Sequence, residues 1–315
     1  MIFLWIFLGV VAFVAIASLL TAYICFLRVF YSKRTKETEE YPIPEGEEYE
    51  EFRDQMIEWL KEGRAKPHKE YSVKSFDGLT LRGQYYEYSK DAPIDILFHG
   101  YKGTAERDLS GGIARCFRLG HSVLIVDHRA SGNSEGKVIT FGINESRDCA
   151  KWVDLVLSEI NPDAKIVLGG VSMGAATVMI ASAMELPKNV IGGVADCGYT
   201  SAEDIIKKEI AVMKLPPKLV YPFVRLGARI FGHFDIDETS PIEAVKKSRI
   251  PIIFFHGGAD TYVPHKMSVE NYNACTSEKR FVTIDGAAHG LAFPVDQEKY
   301  LHEIETFFAP YLAGK

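Results

Sequence analysis

The sequence predicts an α/β fold: a mostly parallel sheet of eight strands flanked by helices, preceded by one long apolar helix. Two observations carry this prediction. From Tyr71 onward, short β-rich runs alternate with stretches of helical periodicity, which indicates βαβ units and hence a mostly parallel sheet. Before them, residues 2–27 contain no charged side chain, which predicts a helix that could cross a membrane.

The overall composition is that of an ordinary folded protein. The chain has 315 residues, of which 47% are hydrophobic, so it has ample material for a core and is not disordered. Its formal charge of −6 gives no support to nucleic-acid binding. The five cysteines are odd in number and include no CxxC pair. We therefore expect reduced, buried thiols rather than a disulfide framework or a zinc site.

The apolar run at the N-terminus predicts a single-pass membrane anchor over residues 1–31. As a helix, its 26 uncharged residues would measure about 39 Å, against a hydrocarbon core of about 30 Å. Trp5 and Tyr23 lie near its ends, where amphipathic rings favour the membrane interface. A cleaved signal peptide is disfavoured, because no Lys or Arg precedes the run and no A-x-A site follows it. A buried core helix is the other alternative.

The charges that flank the apolar run predict its orientation in the cell membrane. Four basic residues follow it, whereas only the α-amine precedes it; they are Arg28, Lys33, Arg34 and Lys36. By the positive-inside rule, the domain that follows lies in the cytoplasm. The opposite orientation stays open, because long domains can translocate regardless of flanking charge and an acidic block lies close by.

The segment 32–70 predicts an acidic linker that leads into an amphipathic helix. Eight glutamates and no basic residue occur between positions 37 and 51, and Pro42, Pro44 and Gly46 indicate a stiff, solvated spacer. Apolar side chains then recur every three or four residues, which predicts a helix from about residue 47 to residue 62. These side chains are Tyr49, Phe52, Met56 and Trp59.

The remaining residues, 71–315, form the predicted α/β domain. The first two strands flank the turn at Phe76, Asp77 and Gly78 and predict a hairpin. The eight predicted strands span residues 71–75, 79–86, 94–98, 122–126, 166–171, 190–195, 251–255 and 280–284. In sheets of this kind, ligands bind beyond the carboxyl ends of the strands. The residues that follow each strand are therefore the candidates for a functional site.

Ser172 is the predicted nucleophile. The strand 166–171 runs directly into it, within the pattern Gly170-x-Ser172-x-Gly174, and a helix-compatible run follows. A nucleophile elbow needs this order of strand, serine and helix. The same pattern occurs around Ser134, but polar loop sequence surrounds that serine on both sides. We expect Ser134 to stabilise its loop.

A serine hydroxyl needs a base, and the base needs an orienting carboxylate. His289 follows the last strand after a short loop and is the predicted base, while Asp260 follows the preceding strand and is the predicted acid. Asp196, which follows the sixth strand, is the alternative acid. His99 and His256 each end a strand in a His-Gly pair, and we expect their rings to bond the loop backbone.

Two backbone amides are the predicted donors to an oxyanion. Met173 follows the nucleophile, so its amide points into the site by the geometry of the elbow. The second donor is expected from the loop after the third strand, which reads HGYKG, and Tyr101 is the candidate there.

These residues resemble the α/β-hydrolase superfamily from about Tyr71 to the end of the chain. The segments that carry the resemblance, in the order that the family shows, are SFDGLTLRG, ILFHGY, DHRASGNSEG, GVSMGA, HGGADTYVP and AAHG. The chain is most similar to bacterial membrane-anchored serine hydrolases of the serine-aminopeptidase-like and monoacylglycerol-lipase-like branch. It departs from many relatives at Tyr101, where they carry Phe or a small residue.

The resemblance implies a serine hydrolase that cleaves an ester through an acyl-enzyme and needs no cofactor or metal. A peptidase, a thioesterase or an acyltransferase would use the same residues, and a binding protein without catalysis is disfavoured. The expected partners are a small ester or acyl substrate and the lipid bilayer, with no nucleic acid. Residues 199–249 correspond to a helical lid, which forms either an apolar wall for an acyl chain or ordinary packing. Deleting residues 1–32 is expected to leave an active, soluble enzyme.

Overall fold

The computed structural model describes residues 1–33 and 39–313. Within them, the predicted sheet of eight strands is confirmed, with boundaries that differ from the predicted ones by two residues at most. The strands are β1 Lys69–Lys74, β2 Thr80–Tyr86, β3 Ile94–Phe98, β4 Ser122–Val126, β5 Ile166–Val171, β6 Val190–Asp196, β7 Ile252–Gly257 and β8 Lys279–Ile284. Their order in the sheet is β1-β2-β4-β3-β5-β6-β7-β8. The pairs β1–β2 and β2–β4 are antiparallel, and all others are parallel.

Helices cover both faces of this sheet. The helices are α1 Ile2–Val29, α2 Arg53–Ala65, α3 Ala105–Arg118, α4 Ile143–Leu155, α5 Met173–Ala181, α6 Ala202–Val212, α7 Pro217–Ile230, α8 Pro241–Val245, α9 His265–Ala274, α10 Ala292–Val295 and α11 Gln297–Leu312. The alternation of side chains along a strand divides the core between the faces. In β7, Ile253 and Phe255 belong to the cluster formed with α2, α10 and α11, whereas Ile252 and Phe254 pack toward α5 and α9.

The predicted apolar helix is present as α1, and its two ends have different surroundings. Residues 2–21 of the helix are almost entirely exposed, whereas Ala22, Phe26 and, just beyond the helix, Phe30 are buried. The buried end packs on α7, where a Cβ atom on Gly227 would lie 2.5 Å from the Ala22 carbonyl oxygen. Beyond the helix, Tyr31 forms a β-bridge with Val138. The last turns of α1 are therefore part of the folded core.

The prediction of a solvated spacer is wrong for part of the acidic segment, because Pro42 and Ile43 are buried. The predicted helix over residues 47–62 is also wrong in its first part. A 3₁₀ turn, Glu47–Phe52, precedes α2. Four glutamates lie within that turn, and like charges three or four residues apart destabilise an α-helix. Residues 34–38, which include Arg34, Lys36 and Glu37 of the predicted charge pattern, lie outside the described residues.

The predicted insertion 199–249 contains α6, α7 and α8. Ser201 caps α6, because its hydroxyl accepts a hydrogen bond of 3.0 Å from the Asp204 amide, and α7 begins at Pro217. The buried side chains of α6 and α7 share one cluster with Phe26 and Phe30 from the N-terminal helix. The insertion thus packs between the sheet and the end of α1.

Candidate active site

Ser172 occupies a strained backbone conformation between β5 and α5. Its φ of 56° and ψ of −113° are sparsely populated for residues other than glycine. The two glycines of the motif make the tight turn possible. A Cβ on Gly170 would lie 2.2 Å from the carbonyl carbon of Gly174, and one on Gly174 would lie 2.0 Å from the Phe98 carbonyl oxygen. The local geometry is that of the predicted elbow.

Asp260 and His289 meet beside this elbow. The Nδ1 atom of His289 lies 2.7 Å from Oδ2 of Asp260. The other carboxylate oxygen accepts hydrogen bonds from the amides of Tyr262, at 2.9 Å, and Val263, at 2.8 Å. Asp260 is therefore held from both sides in an orientation that fixes the His289 ring.

A second histidine, His256, also contacts Asp260. Its Nε2 atom lies 3.2 Å from Oδ2 of Asp260 and 2.9 Å from the Val263 carbonyl oxygen, while its Nδ1 lies 2.6 Å from the Ser268 hydroxyl. Burial alone would raise the pKa of Asp260, but the hydrogen bonds to His256 and His289 outweigh burial and hold that pKa well below its usual range. The carboxyl group is thus kept ionised.

The contact between His256 and Asp260 was missed in the sequence. The expectation that the His256 ring bonds the loop backbone is confirmed by its contact with Val263, but it was incomplete. The available signal was the spacing, because His256 ends β7 only four residues before the predicted acid.

Asp196, the alternative acid, makes a different set of contacts. Its Oδ2 atom accepts a hydrogen bond of 3.0 Å from the Tyr300 hydroxyl, and among the described residues Oδ1 has no hydrogen-bond partner. Burial raises the pKa of this carboxyl group. The hydrogen bonds of the described residues join His289 to Asp260 and not to Asp196.

The predicted nucleophile, the predicted base and one of the two predicted oxyanion donors border one cavity. Ser172, His289 and Tyr101 all line it, and the Met173 amide begins α5 directly behind the serine. The first amides of a helix have no partner within the helix and are free to bind an anion. Within the described residues, no hydrogen bond joins the Ser172 hydroxyl to His289. Such contacts often tighten only when substrate binds.

Comparison with known proteins agrees with the fold described above. A family model described as the alpha/beta hydrolase fold matches residues 96–233, from β3 to the end of the lid helix α7. The chain has the α/β-hydrolase fold. Among solved structures, this α/β hydrolase is similar to the esterase Pf2001 of Pyrococcus furiosus, with a TM-score of 0.67 and 21% identity over 90% of this chain and 98% of that one.

Two curated relatives are similar in sequence to the α/β hydrolase. The protein YqkD of Bacillus subtilis is 25% identical over 239 residues, which cover 75% of this chain and 78% of the relative. The protein bem46 of Schizosaccharomyces pombe is 26% identical over 198 residues, which cover 62% of this chain and 60% of the relative.

Ser134, the serine of the second Gly-x-Ser-x-Gly pattern, has a structural role in the fold. Ser134 is buried, donates a hydrogen bond of 2.7 Å to the Asp127 carbonyl oxygen and accepts one of 2.9 Å from the Arg82 amide. This agrees with the expectation that it stabilises its loop. His99 behaves as expected too, since its Nδ1 lies 2.7 Å from the Gly100 carbonyl oxygen.

The loop that carries Tyr101 is attached to the N-terminal helix. The Tyr101 hydroxyl donates to the Val29 carbonyl oxygen at 2.7 Å, and Nζ of Lys102 lies 3.1 Å from the Arg28 carbonyl oxygen. Burial raises the pKa of Tyr101, so its hydroxyl stays protonated and able to donate. No pattern in the amino-acid sequence indicates this attachment.

The cavity that Ser172 lines has a volume of about 510 Å³ and is not bordered by the described residues of the insertion. The residues that line it come from the acidic segment, from α2, α3, α10 and α11, from the ends of β3, β5 and β6, and from the loops after β3, β5, β7 and β8. No described residue of 199–249 is among them. The described residues of the insertion thus pack on the body of the fold and contribute no wall to this cavity.

One grouping of potential metal ligands occurs among the described residues, and it overlaps the predicted site. Cys197, Asp260 and His289 each place one ligand atom within 4.8 Å of the others. Burial raises the pKa of the Cys197 thiol well above its usual range, so the thiol is protonated and a weak metal ligand. Asp260 and His289 are already bonded to each other. The chemistry of this set fits proton transfer better than metal binding.

Proposed function

We propose that this protein is a serine hydrolase that cleaves an ester of modest size through an acyl-enzyme, with Ser172 as nucleophile, His289 as base and Asp260 as orienting acid. The observation that carries the proposal is the strained elbow at Ser172, because it lines one cavity with His289 while Asp260 fixes the His289 ring. Backbone strain of this kind clusters at functional sites.

The proposed reaction has two halves. In the first, His289 takes the proton of the Ser172 hydroxyl as Oγ bonds to the ester carbonyl carbon, and the carbonyl oxygen becomes an oxyanion between the amides of Tyr101 and Met173. The intermediate then collapses, and the alcohol leaves with the proton from His289. In the second half, His289 deprotonates a water that attacks the acyl-enzyme, which releases the acid and restores the serine.

Ester chemistry is favoured over its alternatives by the relatives' names. The similar solved structures include the esterase Pf2001 and a complex of ferulic acid with Est1E of Butyrivibrio proteoclasticus. A relative in Aspergillus aculeatus, 28% identical over 40% of this chain, is named a thiohydrolase. A thioesterase, a peptidase or an acyltransferase would use the same side chains, so the leaving group is decided by experiment.

The test is covalent labelling combined with a substrate panel. A fluorophosphonate probe should label the wild-type protein and the Ser134→Ala variant, which serves as the matched control, but not the Ser172→Ala variant. Labelling that survives Ser172→Ala would remove the assignment. Matched ester, thioester and amide substrates of one acyl group then identify the bond that is cleaved. Hydrolysis of the amide or thioester alone would replace the ester proposal.

We also propose that α1 anchors the hydrolase in the cell membrane as a single span. Its exposed part, residues 2–21, measures about 30 Å at 1.5 Å per residue, which equals the thickness of a hydrocarbon core. The mean hydropathy of its most apolar part is 2.7. Arg28 and Lys33 follow the span, which favours a catalytic domain in the cytoplasm.

Extraction and protease protection test this location. The full chain should stay with membranes after a high-salt wash, because the burial is apolar. Protease added to intact cells should spare the catalytic domain, with a known cytoplasmic protein as control. Digestion of the domain under conditions that spare the control would reverse the orientation, and release of the chain by salt would contradict the anchor.

A further inference from the structure

The cavity that holds the proposed nucleophile is walled by the segment that follows the anchor. Met56 and Trp59 from α2 line it, together with Tyr49 from the preceding 3₁₀ turn. The Tyr49 hydroxyl also donates a hydrogen bond of 2.9 Å to the backbone carbonyl oxygen of His289. This segment is therefore fixed against the proposed base and forms one side of the space into which a substrate must fit.

We propose that the wall formed by α2 and α10 is the acyl-binding site, and that Trp59 sets the length of acyl chain that fits there. This inference rests on the proposed serine hydrolase function and adds the substrate class to it: esters of acids with short to medium apolar chains. The apolar wall for the acyl chain, which the resemblance assigned to the insertion 199–249, is then formed in part by the N-terminal segment.

The position of Trp59 is fixed by its neighbours. Its ring lies 5.4 Å from the Phe293 ring, between centroids and at an interplanar angle of 30°. On its other side it approaches α3, where a Cβ on Gly111 would lie 2.9 Å from the Trp59 ring. Because only 9% of Trp59 is exposed, the ring has little freedom to move aside. A chain that reaches it is stopped there.

The chemistry of the lining suits an acyl chain. Some charged side chains on it are paired within the protein: Arg107 pairs with Asp108 at 2.7 Å, and Asp196 accepts a hydrogen bond of 3.0 Å from the Tyr300 hydroxyl. Others stay polar on the lining, since Glu45 and Glu48 are exposed and two nitrogens of Arg115 have no hydrogen-bond partner among the described residues. The surface left for a substrate includes apolar groups on both sides of the cavity. These groups are Met56, Trp59, Leu97, Leu109, Phe293 and Pro294. A volume of about 510 Å³ is ordinary for a small-molecule site and too small for a long lipid with its headgroup.

The test is the chain-length profile of the full-length protein in detergent, with p-nitrophenyl acetate, butyrate, octanoate and dodecanoate. Trp59→Ala removes the ring, and Trp59→Phe keeps an aromatic side chain if the alanine variant folds poorly. We expect kcat/KM for dodecanoate relative to butyrate to rise about tenfold or more in Trp59→Ala, since one methylene in an apolar pocket is worth about tenfold or more.

Two matched controls isolate the effect of the wall. Leu60 is buried beside Trp59 on α2 but does not line the cavity, and Leu219 is an exposed residue of α7. Leu60→Ala and Leu219→Ala should leave the relative preference unchanged. An unchanged profile in both Trp59 variants, or a shift produced by Leu219→Ala, would overturn the inference while leaving the hydrolase proposal intact. Absence of fluorophosphonate labelling in the wild type would instead overturn the hydrolase proposal itself.

Discussion

The Tyr101 hydroxyl donates a hydrogen bond of 2.7 Å to the carbonyl oxygen of Val29, which is the last residue of α1. The final carbonyl groups of a helix have no partner within the helix, so Tyr101 satisfies one of them, and Lys102 satisfies that of Arg28. The same loop presents the amide that we propose as an oxyanion donor. The end of the proposed membrane anchor and the proposed catalytic centre are thus joined by two neighbouring residues of one loop.

Replacing Tyr101 by Phe should lower kcat while KM changes little. The substitution removes the hydroxyl but keeps the backbone amide, so only the position of the loop is affected. A net hydrogen bond contributes about 0.5–1.5 kcal/mol, and up to about tenfold in rate is therefore expected. Steady-state kinetics on an ester substrate measure this change. Tyr311→Phe removes a hydrogen-bonded hydroxyl near Glu278 and is the control. Equal kcat values in wild type and Tyr101→Phe would contradict the positioning role.

Two truncations should differ sharply in stability. Deleting residues 2–21 leaves Ala22, Phe26 and Phe30 in place and should give a soluble, active protein. Deleting residues 2–32 removes both phenylalanines from the core, and the loss of a buried Phe side chain alone costs about 3–5 kcal/mol. We expect the longer deletion to unfold at lower denaturant concentration and to lose activity, in contrast to the expectation from sequence. Two proteins of equal stability would show that this packing contributes little.

Asp260→Asn should lower kcat by several orders of magnitude, on the order of 10⁴-fold, because an amide holds the imidazole in the wrong tautomer. Asp196→Asn should cost far less, since that carboxylate bonds Tyr300 rather than His289. Steady-state kinetics of both variants, measured at equal concentrations of folded protein, show which substitution lowers kcat more. A larger loss in Asp196→Asn would transfer the acid role to the sixth strand.

The depressed pKa of Asp260 predicts a pH-dependent contribution to the free energy of unfolding. The folded state holds this pKa below its value in the unfolded chain, which is about 3.9. The stabilisation is therefore fully present above that value and is lost as the pH falls through the folded pKa. In urea unfolding, the free energy of unfolding should differ more between wild type and Asp260→Asn at neutral pH than near pH 3. A difference that grows on acidification would contradict the assignment.

The sequence was informative where function depends on neighbouring residues and on strand ends. The order of strand, Ser172 and helix is local, and parallel strands bring their carboxyl ends to one edge, so Asp260 and His289 could be placed near each other. The contacts of Tyr101 with Val29 and of Trp59 with Gly111 could not be placed, because they join distant segments through packing. The acidic segment was misread because its glutamates dominate its composition and hide the buried Pro42 and Ile43.

The tight packing of Gly227 against Ala22 has a mechanical consequence if α1 spans the bilayer as proposed. An enzyme on a flexible tether samples a wide volume around its anchor, and its reach grows with the length of the linker. Here α7 packs on the backbone of the anchor, so packing as well as the linker holds the domain to the helix. The mouth of the cavity then stays at one height above the lipid headgroups. Substrates would be selected by the depth at which they present their ester bond, as well as by the shape of the acyl group.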